Sequence, residues 1–99
     1  MNITVGSMSS DGTVEILLDG WLDTQHAPEL ANALSGLGPD VKRLVLDATN
    51  LEYISSAGIR QIVAAQRMLK GALTLRHPQK EIMHVLHLVG LDKYLDIEQ

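Results

Sequence analysis

The stretch Asn50-Leu51-Glu52-Tyr53-Ile54-Ser55-Ser56-Ala57-Gly58-Ile59-Arg60 decides how this chain folds. It follows an apolar run, Leu44-Val45-Leu46, that reads as a buried strand, and it leads into a helical pattern. In that helix, expected over Ser56 to Lys70, residues Ile59, Ile62, Val63, Gln66 and Leu69 share one face, and Gly71 ends it. Two serines and a glycine thus fall where a strand hands over to a helix. A serine there has an ordinary use, because its side-chain oxygen accepts a free backbone N–H of the first turn. Either Ser55 or Ser56 fits that use. Gly58 is harder to place, since glycine in a helix costs about 1 kcal/mol relative to alanine. Close approach by another backbone or by a partner surface would keep it there.

On the N-terminal side, Asn2 to Ser7 and Thr13 to Asp19 lean apolar around Met8-Ser9-Ser10-Asp11-Gly12. Asp11-Gly12 is a turn signal, so the two segments read as an edge hairpin whose second strand ends at Gly20. Trp21 and Leu22 lead into Asp23-Thr24, either of which could cap a helix. That helix carries Ala27, Leu30, Ala31, Leu34 and Leu37 as an amphipathic stripe; Pro28 suits its first turn, and Gly36, Gly38 and Pro39 stop it. Val41 to Ala48 is the strand already met.

On the C-terminal side, Ala72 to His77 reads as a strand with Leu73 and Leu75 pointing one way. Pro78 opens a third helix striped by Ile82, Val85, Leu86 and Val89 and closed by Gly90. Tyr94, Leu95 and Ile97 suit a final short strand. The order is β-β-α-β-α-β-α-(β). Strands alternating with helices after a hairpin argue for parallel pairing through right-handed crossovers. The expected fold is a two-layer α/β domain over residues 1–99, with a mostly parallel sheet of four to five strands.

Composition narrows the function. With 99 residues there is room for one domain. Apolar residues make up 45% and charged residues 20%, which excludes a disordered chain. The net charge of −4, with Lys and Arg scattered, argues against electrostatic binding to nucleic acid or anionic membranes. There is no cysteine, and no apolar run approaches the ~18 residues of a membrane span. A cytoplasmic protein is expected. Aromatics are Trp21, Tyr53 and Tyr94 alone. Trp21 can be either a core residue or an anchor for a partner.

Catalytic and metal chemistries find little support. A nucleophilic serine needs a positioned base, yet no Gly-x-Ser-x-Gly elbow occurs and no histidine is placed by sequence beside the serines. His84 and His87 are spaced to share a helix face, but a metal site needs a third ligand, and His77 and Asp92 are poor fillers. His26 has no evident partner. Phosphate-loop and dinucleotide glycine patterns are absent. Asp47 falls at the end of the central strand, where crevices form in open sheets, or else makes an Asx turn through Asn50. Phosphorylation suits the serine corner better. A phosphoserine at a helix N-terminus meets free N–H groups and the positive end of the helix dipole, while an apposed partner meets about −2 of new charge.

The run from Leu44 to Leu69, together with Gly20-Trp21-Leu22-Asp23 and Val85-Leu86-His87-Leu88-Val89-Gly90-Leu91-Asp92, resembles the bacterial anti-sigma factor antagonist family of small STAS domains. The resemblance covers nearly the whole chain. It implies a protein without catalysis or cofactor of its own. Such a protein binds an anti-sigma factor that is also a serine kinase, and phosphorylation breaks the complex. The family's phosphorylated residue falls on Ser56. Its preceding aspartate falls on Ser55, and its following serine or threonine on Ala57. Ser56 would then be the switch, Ser55 and Gly58 would shape the corner, and Asp23, Asp47 and Arg60 would lie near the contact surface. The family's last helix is short or missing after Asp92. An alternative keeps the fold and makes the chain a small STAS subunit docking on a transporter ATPase or another signalling complex.

Overall fold

The structure, a computed structural model, describes residues 1–99. Its elements run β1 (Asn2–Val5), β2 (Thr13–Leu22), α1 (Ala27–Ser35), β3 (Arg43–Ile54), α2 (Ser56–Met68), β4 (Leu73–Arg76), α3 (Lys80–Leu88) and β5 (Asp96–Glu98), with a 3₁₀ turn at Leu91–Lys93 before the last strand. One five-stranded sheet holds the strands in the order β1-β2-β3-β4-β5. β1 pairs antiparallel to β2, and every later pair is parallel. The mostly parallel α/β sheet with an N-terminal hairpin is the expected fold.

Alternation along the strands separates two faces. Val14, Ile16 and Leu18 of β2, Leu44, Leu46 and Ala48 of β3, and Leu73 and Leu75 of β4 belong to one core. Leu30 and Leu34 of α1, Ile62 and Ala65 of α2, and Ile82 and Leu86 of α3 complete it. All three helices therefore cover the same side of the sheet. The opposite face carries Glu15, Arg43, Thr74 and Arg76, tied by ion pairs and hydrogen bonds: Arg76 to Glu15 at 2.9 Å and to Glu98 at 3.2 Å, Arg43 to Thr74 at 2.8 Å, and Thr74 to Asp96 at 2.8 Å. Val45 is buried beneath this polar lattice.

Several boundaries differ from those expected, each for a local reason. β2 runs through Gly20 to Leu22, because Gly20 takes a φ of +107°, open to glycine without strain, and so extends the strand instead of ending it. β3 continues beyond Ala48 to Ile54, so Asp47 lies within the strand and not at its end. The longer β3 matches β2 by register shifts between Leu17 and Asp19 and again between Gly20 and Trp21, each leaving one extra residue on β3. Pro78 precedes α3, whose cap position is Gln79. In α2 the buried positions are Gly58, Ile62 and Ala65, so the inward face is rotated from the expected stripe, with Val63 and Gln66 only half-buried.

Candidate functional site

The corner where β3 becomes α2 is built against the end of β2. The Ser55 backbone N–H donates to the carbonyl of Leu22 at 2.9 Å, and its hydroxyl donates to the same oxygen at 3.2 Å. The Ser55 Oγ in turn accepts the N–H of Gly58 at 3.2 Å, which makes Ser55 the cap of α2. Of the two serines, Ser55 is therefore spent on the fold. Ser56, the first helical residue, is exposed, and its hydroxyl makes no protein hydrogen bond within 3.5 Å. With the Gly58 amide taken by the cap, the amides at the very start of α2 have no helical acceptor.

Gly58 is buried, and the reason lies inside the domain. A Cβ there would sit 2.8 Å from Leu22 Cγ, 2.8 Å from the Leu22 carbonyl oxygen and 3.0 Å from Ile54 Cγ1. The close approach is to the chain's own β2, so Gly58 offers a partner no side chain and sets how near α2 lies to the sheet. Arg60 is exposed, one turn along α2 from Ser56 on the same side, and makes no ion pair.

Asp23 follows directly on Leu22 and so shares this corner. Its Oδ1 accepts the His26 backbone N–H at 2.9 Å and lies 2.7 Å from His26 Nδ1. Partial desolvation pushes the Asp23 carboxyl up, but the His26 N–H and ring outweigh it and hold the carboxyl below its ordinary range. Asp23 thus fixes the turn into α1, whose own cap residue, His26, makes no side-chain cap bond. His26 does have a partner; the signal was the three-residue spacing from Asp23 across a turn.

Asp47 belongs to the free sheet face. It pairs across the sheet with Leu17 on one side and Arg76 on the other, and Ala48 to Ile54 separate it from the serines. Its Oδ1 accepts from the Thr49 N–H at 2.9 Å and the Thr49 hydroxyl at 2.6 Å, so its turn runs through Thr49 and not Asn50. Burial raises the carboxyl, while the Thr49 bonds and then the nearby His77 and Arg76 charges bring it below its ordinary range.

Trp21 is not a core residue. It is 55% exposed and lies over Tyr53, itself 43% exposed, with ring centroids 5.1 Å apart. The second bulge creates this pair: Gly20 opposes Leu51, Glu52 is skipped, and Trp21 opposes Tyr53. No sequence pattern signalled it. His84 and His87 are both exposed, and His87 Nδ1 lies 2.8 Å from Asp92. No group of three His, Asp or Glu side chains is arranged to hold a metal ion. No hydrogen bond joins Ser55 or Ser56 to a histidine. No helix is long and apolar enough to cross a membrane.

The comparisons agree with this geometry. A model of the family described as "Mlab, STAS domain" matches residues 5–97. The anti-sigma-B factor antagonist of Bacillus subtilis (strain 168) is 25% identical over 100 residues, which cover 98% of this chain and 92% of that protein. An anti-sigma factor antagonist from Mycobacterium paratuberculosis superposes with a TM-score of 0.82 at 25% identity, covering 98% of this chain and 86% of that one. The Bacillus cell fate determinant SpoIIAA, solved in its phosphorylated form, shares the fold at a TM-score of 0.66 and 20% identity, covering 99% and 92% of the two chains.

Proposed function

This chain belongs to the STAS domain family, among its anti-sigma factor antagonists, and on that footing we propose that Ser56 is the phosphorylated switch through which it binds and releases an anti-sigma factor. STAS domains are regulatory binding modules, so the function is sought in what docks on the corner. The observation that carries the reading is the division of labour between the serines. Ser55 caps α2 through Gly58 and Leu22, which leaves the Ser56 hydroxyl exposed and unengaged. An acceptor for a kinase must be reachable and must not be part of the fold's own bonding.

A phosphate on Ser56 would sit over the uncapped amides of the first turn, at the favourable end of the helix dipole, with Arg60 one turn away. The domain itself would tolerate it. A partner packed on Ser56, Arg60 and Asp23 would have to bury about two negative charges, so the complex and not the fold yields. The related SpoIIAA, solved phosphorylated, supports carrying this chemistry to the present chain. The partner is an anti-sigma factor with serine kinase activity, met in the cytoplasm.

A second reading has its own observation. The family's aspartate before the acceptor is Ser55 here, and its following serine or threonine is Ala57. Those departures fit a STAS subunit that docks on a transporter ATPase by the same corner.

The test is to purify the protein with its partners and compare phosphorylation of the wild type with Ser56→Ala. Phosphate incorporation is expected to vanish in the variant, and Ser56→Asp is expected to lose the complex. Unchanged incorporation in Ser56→Ala removes Ser56 as acceptor, and a complex indifferent to Ser56→Asp removes the switch. Recovery of a transporter ATPase in place of an anti-sigma factor selects the second reading.

A further inference from the structure

Beyond the serine switch, the Trp21–Tyr53 pair lies on the free face of the sheet, each residue about half exposed. Trp21 and Tyr53 are 55% and 43% exposed, and each is held by β pairing in register, not by a flexible loop. The bulge at Glu52 brings Tyr53 opposite Trp21; without it Trp21 would oppose Glu52 and the rings would fall on opposite faces.

The side chains on the strand segments that hold the rings are acidic or uncharged. The nearby cations are the Met1 amino group, whose nitrogen lies 3.8 Å from where a Cβ on Gly20 would stand, and Arg76, which faces Asp47. Residues 19–23 and 47–56, which hold the pair, include Asp19, Asp23, Asp47 and Glu52 and no Lys or Arg. Asp19, two residues before Trp21 on the same face of β2, is exposed, as is Glu52. Asp19 and Glu52 also line a recess of about 350 Å³ together with Asn50 and Gln79, with no apolar side chain in it. Carboxylate and amide oxygens beside aromatic faces accept the hydrogen bonds of a guanidinium or ammonium, while the ring quadrupole attracts its charge.

We propose that the Trp21–Tyr53 pair, with Asp19, Glu52 and the recess these two carboxylates line, is a docking platform for a basic segment of a protein partner, whose arginine or lysine side chain lies against the rings. Charge complementarity selects this occupant. A second copy of the chain would bring Asp19 and Glu52 against their own counterparts. An anionic lipid surface or nucleic acid would be repelled by these carboxylates. The platform is distinct from the switch, since it needs neither the Ser56 hydroxyl nor its phosphate.

Trp21 is the single tryptophan, so its fluorescence reports on the platform directly. The whole protein is titrated, at about 0.15 M salt where long-range attraction is screened, with the peptide acetyl-Gly-Arg-Gly-Arg-Gly-amide and with the same peptide carrying citrulline for arginine. Citrulline keeps the shape and removes the charge. The arginine peptide is expected to change Trp21 emission saturably, with the citrulline peptide and an Asp19→Asn/Glu52→Gln variant each binding about tenfold more weakly or less. Tyr53→Ala, confirmed folded by circular dichroism, is expected to lose the response, and Ser56→Ala to keep it. Equal binding of the two peptides, an unaltered response in the charge-neutralised variant, or no response to the arginine peptide overturns the proposal. So does a Trp21 shift driven by phosphatidylglycerol vesicles or by protein concentration alone. Because Ser56→Ala retains the platform, failure here and failure of the phosphorylation switch are read separately.

Discussion

Replacing Gly58 with alanine adds one methyl group at the point where α2 comes closest to β2, and two effects then oppose each other. Alanine favours the helix by about 1 kcal/mol over glycine. Against this, the new Cβ would stand 2.8 Å from Leu22 Cγ, 2.8 Å from the Leu22 carbonyl oxygen and 3.0 Å from Ile54 Cγ1. A rotamer change relieves a side-chain overlap, but the carbonyl is backbone. That oxygen is also the acceptor for the Ser55 N–H at 2.9 Å, so moving it strains the bond that anchors the corner. Overpacking costs about 1–3 kcal/mol, and the weakened hydrogen bond about 1 kcal/mol more. The balance is a net loss of about 1–3 kcal/mol after the propensity gain. For a domain this size that lowers Tm by roughly 5 °C or more. Urea and thermal unfolding followed by circular dichroism measure it, with Gly38→Ala as the control, because nothing lies within 4 Å of a Cβ at Gly38. A Gly58→Ala protein as stable as wild type, or more so, would refute the packing argument.

The two serines should separate cleanly in unfolding experiments. Ser55→Ala removes a helix cap and is expected to destabilise by about 0.5–2 kcal/mol, whereas Ser56→Ala, at an exposed position, should stay within about 0.5 kcal/mol of wild type; the reverse order in urea midpoints would assign the cap to Ser56. Acid sensitivity should carry a contribution from Asp23, whose carboxyl is held below its ordinary range in the folded state. Its stabilising share is present above the unfolded-state value near pH 4 and is lost as pH falls through the lower folded-state value, because the unfolded chain binds the proton first. Asp23→Asn is therefore expected to flatten the pH dependence of the urea midpoint below about pH 4, and an unchanged profile would deny the His26 contacts that role.

Periodicity and punctuation made most of the architecture legible. Alternating strands and helices, the Asp11-Gly12 turn and the apolar Leu44-Val45-Leu46 run led to the sheet and its parallel pairing. What they could not reveal was the extent of β3. Asn50 to Ile54 mixes polar and apolar residues without a strict alternation, because two bulges each shift the faces by one residue. Missing the bulges hid the Trp21–Tyr53 pair and moved Asp47 to a strand end it does not occupy. The serine corner was legible as a place and not in its detail. Which serine caps depends on where α2 begins relative to Leu22, a contact more than thirty residues away in sequence that no local pattern encodes. Gly58 was legible as an anomaly, since its helix penalty is local, while the Leu22 backbone that explains it is not.

The order of the strands across the sheet, β1 to β5, is also their order along the chain. Each new strand has only to add at the open edge left by the one before, and each helix closes over a strand pair already in place. Short closures of this kind carry a smaller entropic penalty than pairings that skip strands. A chain emerging from the ribosome could thus consolidate from its N-terminal hairpin onward, without waiting for distant segments. The same arrangement makes the serine corner an early structure: β2, β3 and α2, which form it, need nothing that follows Met68 in order to meet.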